Sequence, residues 1–274
     1  MFELILKNFK NSNMKTTFFK KEKARSFLLI TAILVSGLLF SQSVSAQVKN
    51  IVLVHGAWAD VSGWQKVYKI LTAKGYHVDM VSSSNLTFTG DVDAVKAVLA
   101  RQTGPVILVG HSYGGAVITE AGDTSNVAGL VYVAAFAPDA GESLLGLLKA
   151  GPPNPESGIV LPPVNGLIWY DMAKFHKDFC PDLPADEADF MAHSQTPSGL
   201  ATFTTPLTKA AWKTKPSWYI VSTEDRMIPP DAERFMAKRA KAKVTEIKAS
   251  HVAFISHPEE IAKVIEAAAN GSIK

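Results

Sequence analysis

The residues whose types and spacing most plainly suggest chemistry lie between Val106 and Ile118. An apolar run, Val106 to Val109, enters Gly110-His111-Ser112-Tyr113-Gly114-Gly115 and leaves as a small-residue segment. A buried strand ending at Gly110, one residue at the tip and a helix starting just after it make a sharp corner. The tip residue of such a corner takes a strained backbone, and bulk two positions to either side would collide with it. Gly110 and Gly114 meet that need. The corner pushes the Ser112 hydroxyl over the strand's carboxyl end, beside helix-terminal amides that favour negative charge. A glycine-rich turn that only packs a helix closely onto a sheet gives the same five letters. The strand before and the small-residue helix after favour a nucleophile.

A serine hydroxyl attacks poorly until a base takes its proton. Of the seven histidines, His251 follows the last predicted strand, in "KVTEIKASHVAF", and precedes the C-terminal helix. His257 stands before Pro258 and reads better as a helix flank. His111 is inside the corner and points away from Ser112, while His77, His176 and His193 fall in a strand or an irregular region. The base needs an acid to hold its tautomer and stabilise the imidazolium. "SWYIVSTEDRMIPP" offers Asp225, with Glu224 as the local alternative. Acyl transfer also requires two amides for the oxyanion. One is the amide of Tyr113, after the nucleophile. The other comes from the first strand's exit, "VHGAWADVSGW", where Ala57 is favoured and Trp58 is the alternative.

These groups are far apart in the chain, so a scaffold must gather them. "NIVLVHG", "YHVDMV", "PVILVG", "VAGLVYVAA", "SWYIVS" and "KVTEIK" read as six strands. Between them, "DVSGWQKVYKILTAKG" places Trp64, Val67, Ile70 and Leu71 on one helical face, and "GDVDAVKAVLARQTG" does the same with Val92, Val95, Val98 and Leu99. The continuously apolar strands suit a sheet covered on both faces, and the alternation predicts an α/β fold with a mostly parallel sheet flanked by helices. The pattern breaks from about residue 138 to 215, where Pro and Gly crowd the chain. That stretch also holds Trp169, Tyr170, Phe175, Phe179, Phe190 and Phe203, which are expected to be buried, so it reads as an inserted lid.

The N-terminus reads differently. From Met14, a basic run (Lys15 to Arg25), an apolar run (Phe27 to Phe40) and Val44-Ser45-Ala46 have the three-part form of a secretory signal. The apolar run falls short of the roughly 20 residues a spanning helix needs, so cleavage after Ala46 is expected rather than a stable membrane span. Residues 1–46 are thus an upstream extension and signal peptide, and residues 47–274 one domain in the bacterial periplasm or medium. Without the leader the formal charge moves from +3 to −2, so the basic balance belongs to the leader and no nucleic-acid footprint remains. Cys180, the sole cysteine, excludes an intramolecular disulfide and a cysteine-based zinc site. Metal ligands at usable spacing are absent, and GHSYGG lacks the lysine of a phosphate-binding loop, so no metal or cofactor is expected. The oligomeric state is not legible.

The elbow, the His-Gly-x-Trp loop and the order Ser112, Asp225, His251 resemble the α/β-hydrolase superfamily over nearly all of residues 50–270. The likeness is nearest its compact, lid-bearing esterases and the plant-methylesterase and hydroxynitrile-lyase-like branch. It implies a Ser112–His251–Asp225 triad, no cofactor and a small-molecule ester substrate. Hydroxynitrile lyases of this branch carry Gly-Glu-Ser at the elbow and a lysine after the histidine. Gly110-His111-Ser112 and "SHVAFISHP" depart from both. Serine at the tip likewise argues against dehalogenases and epoxide hydrolases, which carry aspartate there. A serine hydrolase for a small, hydrophobic carboxylic ester is therefore expected. Lyase chemistry, amide or C–C cleavage and non-catalytic ligand binding stand behind it. Trp58, Ile168 and Trp169 are expected to meet substrate, and Ile159, Val160, Leu161 and Leu167 either line an apolar pocket or cover the top of the sheet.

Overall fold

The six apolar runs form strands β1 (Asn50–Val54), β2 (His77–Val81), β3 (Val106–Ser112), β4 (Val127–Ala135), β7 (Ser217–Ser222) and β8 (Lys243–Ile247). They pair into one sheet, every strand parallel to its neighbours, in the order β2-β1-β3-β4-β7-β8. The computed structural model describes residues 47–151 and 157–271. The expected upstream extension and signal peptide, 1–46, lie outside the described residues.

Burial follows position in the sheet. Every residue of β3 and β7 is buried, as strands covered on both faces require. Edge strand β8 instead exposes Lys243 to Glu246, and charge on an edge discourages pairing with another chain. Helix α1 (Gln65–Ala73) packs with α10 (Pro258–Gly271), and α2 (Phe88–Ala100) with α3 (Tyr113–Ala121). The stretch expected as one helix from Asp60 opens as a 3₁₀ turn, Val61–Trp64, capped by Asp60 Oδ1 accepting the Ser62 amide at 2.7 Å. Trp64, Val67 and Leu71 are buried, whereas Ile70 is only half-buried. Val92, Val95 and Leu99 are buried beneath α2, with Val98 half-buried at its margin.

Topology decides where a site forms. The chain begins in the middle of the sheet with β1, steps out to β2, then crosses back over β1 to β3. The strand order reverses between β1 and β3, and ligands of parallel α/β sheets bind at the carboxyl ends flanking such a reversal. Register adds detail. Val54 pairs with Gly110, so the chain leaving β1 at His55 emerges beside His111 and Ser112. A register shift between His111 and Ser112 then sets Ser112 against Ala135 of β4.

Between β4 and β7 the chain carries α4 (Leu144–Ala150), α5 (Met172–Phe179), α6 (Ala185–His193), α7 (Leu200–Thr204) and a two-stranded antiparallel ribbon. The ribbon pairs β5 (Leu167–Ile168) with β6 (Ser198–Gly199). Helix α8 (Pro230–Arg239) joins β7 to β8, and the short α9 (Ala253–Ser256) precedes α10. Tyr170, Phe175, Phe179 and Phe203 are buried here, as expected. Trp169 and Phe190 are not: they are 40% and 68% exposed. Alternation along an extended segment turns Ile168 inward and Trp169 outward. In α6 the small residues Ala188 and Ala192 form the buried face, which leaves Phe190 on the opposite side of the helix.

Candidate active site

Ser112 has φ +52° and ψ −122°, a conformation that is costly for a residue with a Cβ. It persists because β3 feeds into it from one side and α3 leaves at Tyr113 on the other. The fit around it excludes side chains. A Cβ on Gly110 would lie 2.5 Å from the Gly114 carbonyl oxygen, and one on Gly56 would lie 2.7 Å from Ser112 Cβ. The His55-Gly56-Ala57 exit of β1 therefore lies directly against the elbow, and Gly56 is what lets it do so.

His251 and Asp225, 26 residues apart, meet at this end of the sheet. His251 Nδ1 and Asp225 Oδ2 are 2.6 Å apart, with both side chains inaccessible to solvent. Asp225 is itself oriented, because its Oδ1 accepts the amides of Met227 at 2.6 Å and Ile228 at 2.9 Å. That leaves Oδ2 for the imidazole. With Asp225 ionised, Nδ1 carries the proton and Nε2 presents its lone pair. Nε2 is buried and has no hydrogen-bond partner among the described residues. His111 packs beneath this ring, centroids 4.7 Å apart, and its Nε2 meets the His251 carbonyl oxygen at 2.9 Å. His111 is thus a support inside the elbow, kept neutral by burial and by the neighbouring His251. Glu224 goes to the surface, 3.7 Å from Lys248, and His257 Nδ1 pairs with Ser256 Oγ. Neither reaches the centre.

Groups to which sequence alone assigns no role hold the loop that carries Ala57. The Ser83 amide donates to His55 Nε2 at 3.1 Å, so the proton on this ring is at Nδ1, which donates to the Gly56 carbonyl at 3.0 Å. Burial lowers the pKa of His55, consistent with a neutral ring. Asn85 Nδ2 donates to the same carbonyl at 3.2 Å. The Asn85 amide donates to Asp91 Oδ1 at 3.1 Å, and Tyr113 Oη donates to Asp91 Oδ2 at 2.7 Å. Burial holds the Asp91 carboxyl above its ordinary range, although Tyr113 and Asn85 pull the other way. A continuous chain of contacts thus joins Tyr113, the residue after Ser112, to the β1 exit loop.

Trp58 also departs from the ordinary, with φ +57°. Its indole N–H donates to the Ile168 carbonyl at 3.0 Å, and its ring packs on Tyr170 and Phe203 at centroid distances of 5.4 and 5.5 Å. Trp58 and Ile168, both expected to meet substrate, are therefore brought together. Trp169 is not, since its side chain faces solvent. Of the other apolar residues considered for a pocket wall, Val160 and Leu161 are also exposed. A groove of about 210 Å³ lies beside Trp58, bounded by Asp60, Lys66, Phe190, Met191 and Phe254, but none of Ser112, Asp225 and His251 lines it.

The sequence profile of the alpha/beta hydrolase family matches residues 51–264, most of the chain and the whole of this site. The chain belongs to that family. It is 30% identical over 246 residues to a carbendazim hydrolyzing esterase of a Nocardioides species, covering 80% of this chain and 98% of that one. It is also 30% identical over 261 residues to methylesterase 7 of Arabidopsis thaliana, covering 79% and 95%. Among solved structures, a pyrethroid hydrolase from Sphingobium faniae JZ-2 superposes with a TM-score of 0.70 at 25% identity, covering 81% of this chain and 98% of that chain.

In this α/β hydrolase the segment between β4 and β7 also grips the histidine loop. Asp182 accepts hydrogen bonds from the Ser250 amide at 2.9 Å, from Ser250 Oγ, and from Ser256 Oγ at 2.9 Å. Phe179 stands edge-on to the His251 ring at 5.0 Å. Among the described residues no cluster of three or more His, Cys, Asp or Glu is placed to hold a metal ion, and no helix is long and apolar enough to cross a membrane.

Proposed function

We propose that the protein is a serine esterase that cleaves a small, hydrophobic carboxylic ester through an acyl-enzyme on Ser112. The observation that carries the reading is the His251–Asp225 pair, which leaves Nε2 without a partner among the described residues, together with the strained corner at Ser112. Ser112 Oγ attacks the ester carbonyl carbon while His251 Nε2 takes its proton. The carbonyl oxygen becomes an oxyanion held by the amides of Tyr113 and Ala57. The tetrahedral intermediate collapses, and the imidazolium gives its proton to the departing alkoxide, releasing the alcohol. Water, deprotonated by His251, then attacks the acyl-enzyme. Collapse releases the carboxylic acid and returns the proton to Ser112. Asp225 stays ionised throughout and stabilises the imidazolium.

The names of the relatives, an esterase and a methylesterase, support the ester bond as target. The buried aromatic surface of Trp58, Tyr170 and Phe203 supports a hydrophobic substrate. Export is part of the proposal, resting on the basic and apolar runs before Ala46; N-terminal sequencing of protein recovered outside the cytoplasm tests it. The decisive assay is release of p-nitrophenol from short- and medium-chain p-nitrophenyl esters by the purified protein beside Ser112→Ala. Turnover that disappears in the variant is the expected result. A folded wild-type protein that turns over none of these esters would sink the reading.

A further inference from the structure

A second carboxyl lies against Asp225. Glu233 sits in the first turn of α8 and is fully buried. Its Oε2 accepts the amide of Ser222, the last residue of β7, at 3.2 Å, and the Ser222 carbonyl accepts the Asp225 amide at 3.1 Å. Helix α8 and the acid-bearing turn are thus pinned to the same residue. Ser222 thus ties the Glu233 carboxyl to the turn that carries Asp225, close enough for the Asp225 charge to bear on it. Glu233 Oε1, buried, finds no N–H or O–H donor among the described residues. An ionised carboxylate can only accept, so an oxygen with no donor beside another carboxylate is an unfavourable arrangement unless one of the two carries a proton.

The donors decide which one. Among the described residues Asp225 accepts from Met227, Ile228 and His251, whereas Glu233 accepts from Ser222 alone. The charged and titratable groups around Glu233 do not reverse this. Arg234, the next residue of α8, is engaged with Glu246 and Asp231 at the surface. Tyr219 on β7 donates its hydroxyl to the Ala135 carbonyl and is kept neutral by burial. Burial, then the charge of Asp225, push the Glu233 carboxyl well above its ordinary range.

We propose that Glu233 is a positioning residue whose un-ionised carboxyl donates its Oε1 hydrogen to the Asp225 carboxylate. It adds a further donor, locks the plane of Asp225 toward His251 Nδ1 and draws off part of the charge that the imidazole meets. This rests on the esterase reading above and deepens it by adding a fourth residue to Ser112, His251 and Asp225. Asp225 is thereby held from both sides, by backbone amides on Oδ1 and by an acid proton supplied from α8.

The test compares the full-length wild type with Glu233→Gln and Glu233→Met. Glutamine keeps a donor toward Asp225 and an acceptor for Ser222, while methionine keeps the volume and removes both. Infrared difference spectra at neutral pH are expected to show an un-ionised carboxylic acid C=O stretch in the wild type that Glu233→Gln removes. Asp91 is common to both proteins and cancels. With p-nitrophenyl butyrate, Glu233→Gln keeps kcat within about threefold. Glu233→Met loses about tenfold to a hundredfold in kcat with KM unchanged, the range for supporting partners of a reacting centre. The acidic limb of its kcat/KM profile moves to higher pH, because Asp225 without its extra donor holds the imidazolium more firmly. The downfield proton resonance of His251 Nδ1–H shifts in Glu233→Met and stays in Glu233→Gln.

Absence of the infrared band overturns the proposal. So does a Glu233→Gln loss as large as that of Glu233→Met, or a folded Glu233→Met with wild-type kcat and pH limb. If Glu233→Met does not fold, the infrared comparison with Glu233→Gln decides alone. If the wild type cleaves no ester, the esterase reading fails while the infrared and proton-resonance results still decide the role of Glu233.

Discussion

Asp225→Asn isolates the role of the buried acid, because the structure dictates how the amide must sit. The two sites of the carboxylate are unlike: Oδ1 receives the amides of Met227 and Ile228, and Oδ2 faces His251 Nδ1. An asparagine must place its oxygen where the two amides converge, since an NH₂ there would meet two N–H groups head-on. Its NH₂ then faces His251 and donates to Nδ1. The imidazole proton is forced to Nε2, the atom that should accept from Ser112, and the base is lost without any change of shape. In the trypsin-like template the equivalent change lowers kcat by about 10⁴-fold, or about 5 kcal/mol of transition-state stabilisation. The same loss is expected here with p-nitrophenyl butyrate at neutral pH, with KM little changed. Both backbone hydrogen bonds survive, so the thermal midpoint stays within a few degrees of wild type. Glu224→Gln is the control, because Glu224 is exposed and its carboxylate faces Lys248 at the surface. Asp225→Asn with more than about a tenth of wild-type kcat would refute the tautomer argument, as would an equal loss in Glu224→Gln.

Three further perturbations probe the support of the site. Gly110→Ala sets a Cβ 2.5 Å from backbone that cannot retreat without displacing α3, so a cost of about 3 kcal/mol is expected, at the upper end for overpacking; Gly151→Ala, whose Cβ would meet nothing closer than 3.6 Å among the described residues, is its neutral control, and chemical denaturation compares the two. Trp58→Phe keeps an aromatic ring but leaves the buried Ile168 carbonyl without its donor, a loss of about 1–3 kcal/mol. Proteolytic cleavage between residues 138 and 215 should accelerate about thirtyfold at the middle of that range, and an unchanged rate would show that the hydrogen bond does not hold the segment down. For Asp182, burial raises the carboxyl, but hydrogen bonds from Ser250 and Ser256 outweigh it and leave the group below its ordinary range. A carboxyl lowered on folding stabilises fully above its unfolded value, about 4, and that contribution is lost as pH falls through the lower folded value. Asp182→Asn should therefore lower the thermal midpoint by a constant amount between about pH 5 and 8, with the difference shrinking below about pH 4; a difference that widens on acidification would reverse the sign and the argument.

Local rules account for the legible part of this protein. Strand and helix runs announce themselves by period, and a serine between Gly110 and Gly114 at a strand-to-helix corner declares a strained tip because the backbone there has no other way to turn. His251 and Asp225 were readable for a related reason. Both follow strands, and a parallel sheet delivers all such loops to one edge, however far apart they are in the chain. Polar residues buried by distant partners were not readable in this way. Asp91 and Glu233 sit in helices where a carboxylate ordinarily faces water. Hydrogen bonds from Tyr113, Asn85 and Ser84 for the one, and from the Ser222 amide for the other, help make their burial tolerable. Exposure failed in the opposite direction. Trp169 and Phe190 are as apolar as their buried neighbours, yet Ile168 and the Ala188–Ala192 face occupy the inward positions first. Composition and periodicity thus determined the layered sheet and the strained corner at Ser112. Which carboxyls lie against the site, and which aromatics cover it, only the tertiary structure decided, because burial is a property of the neighbours that packing supplies and not of the residue itself.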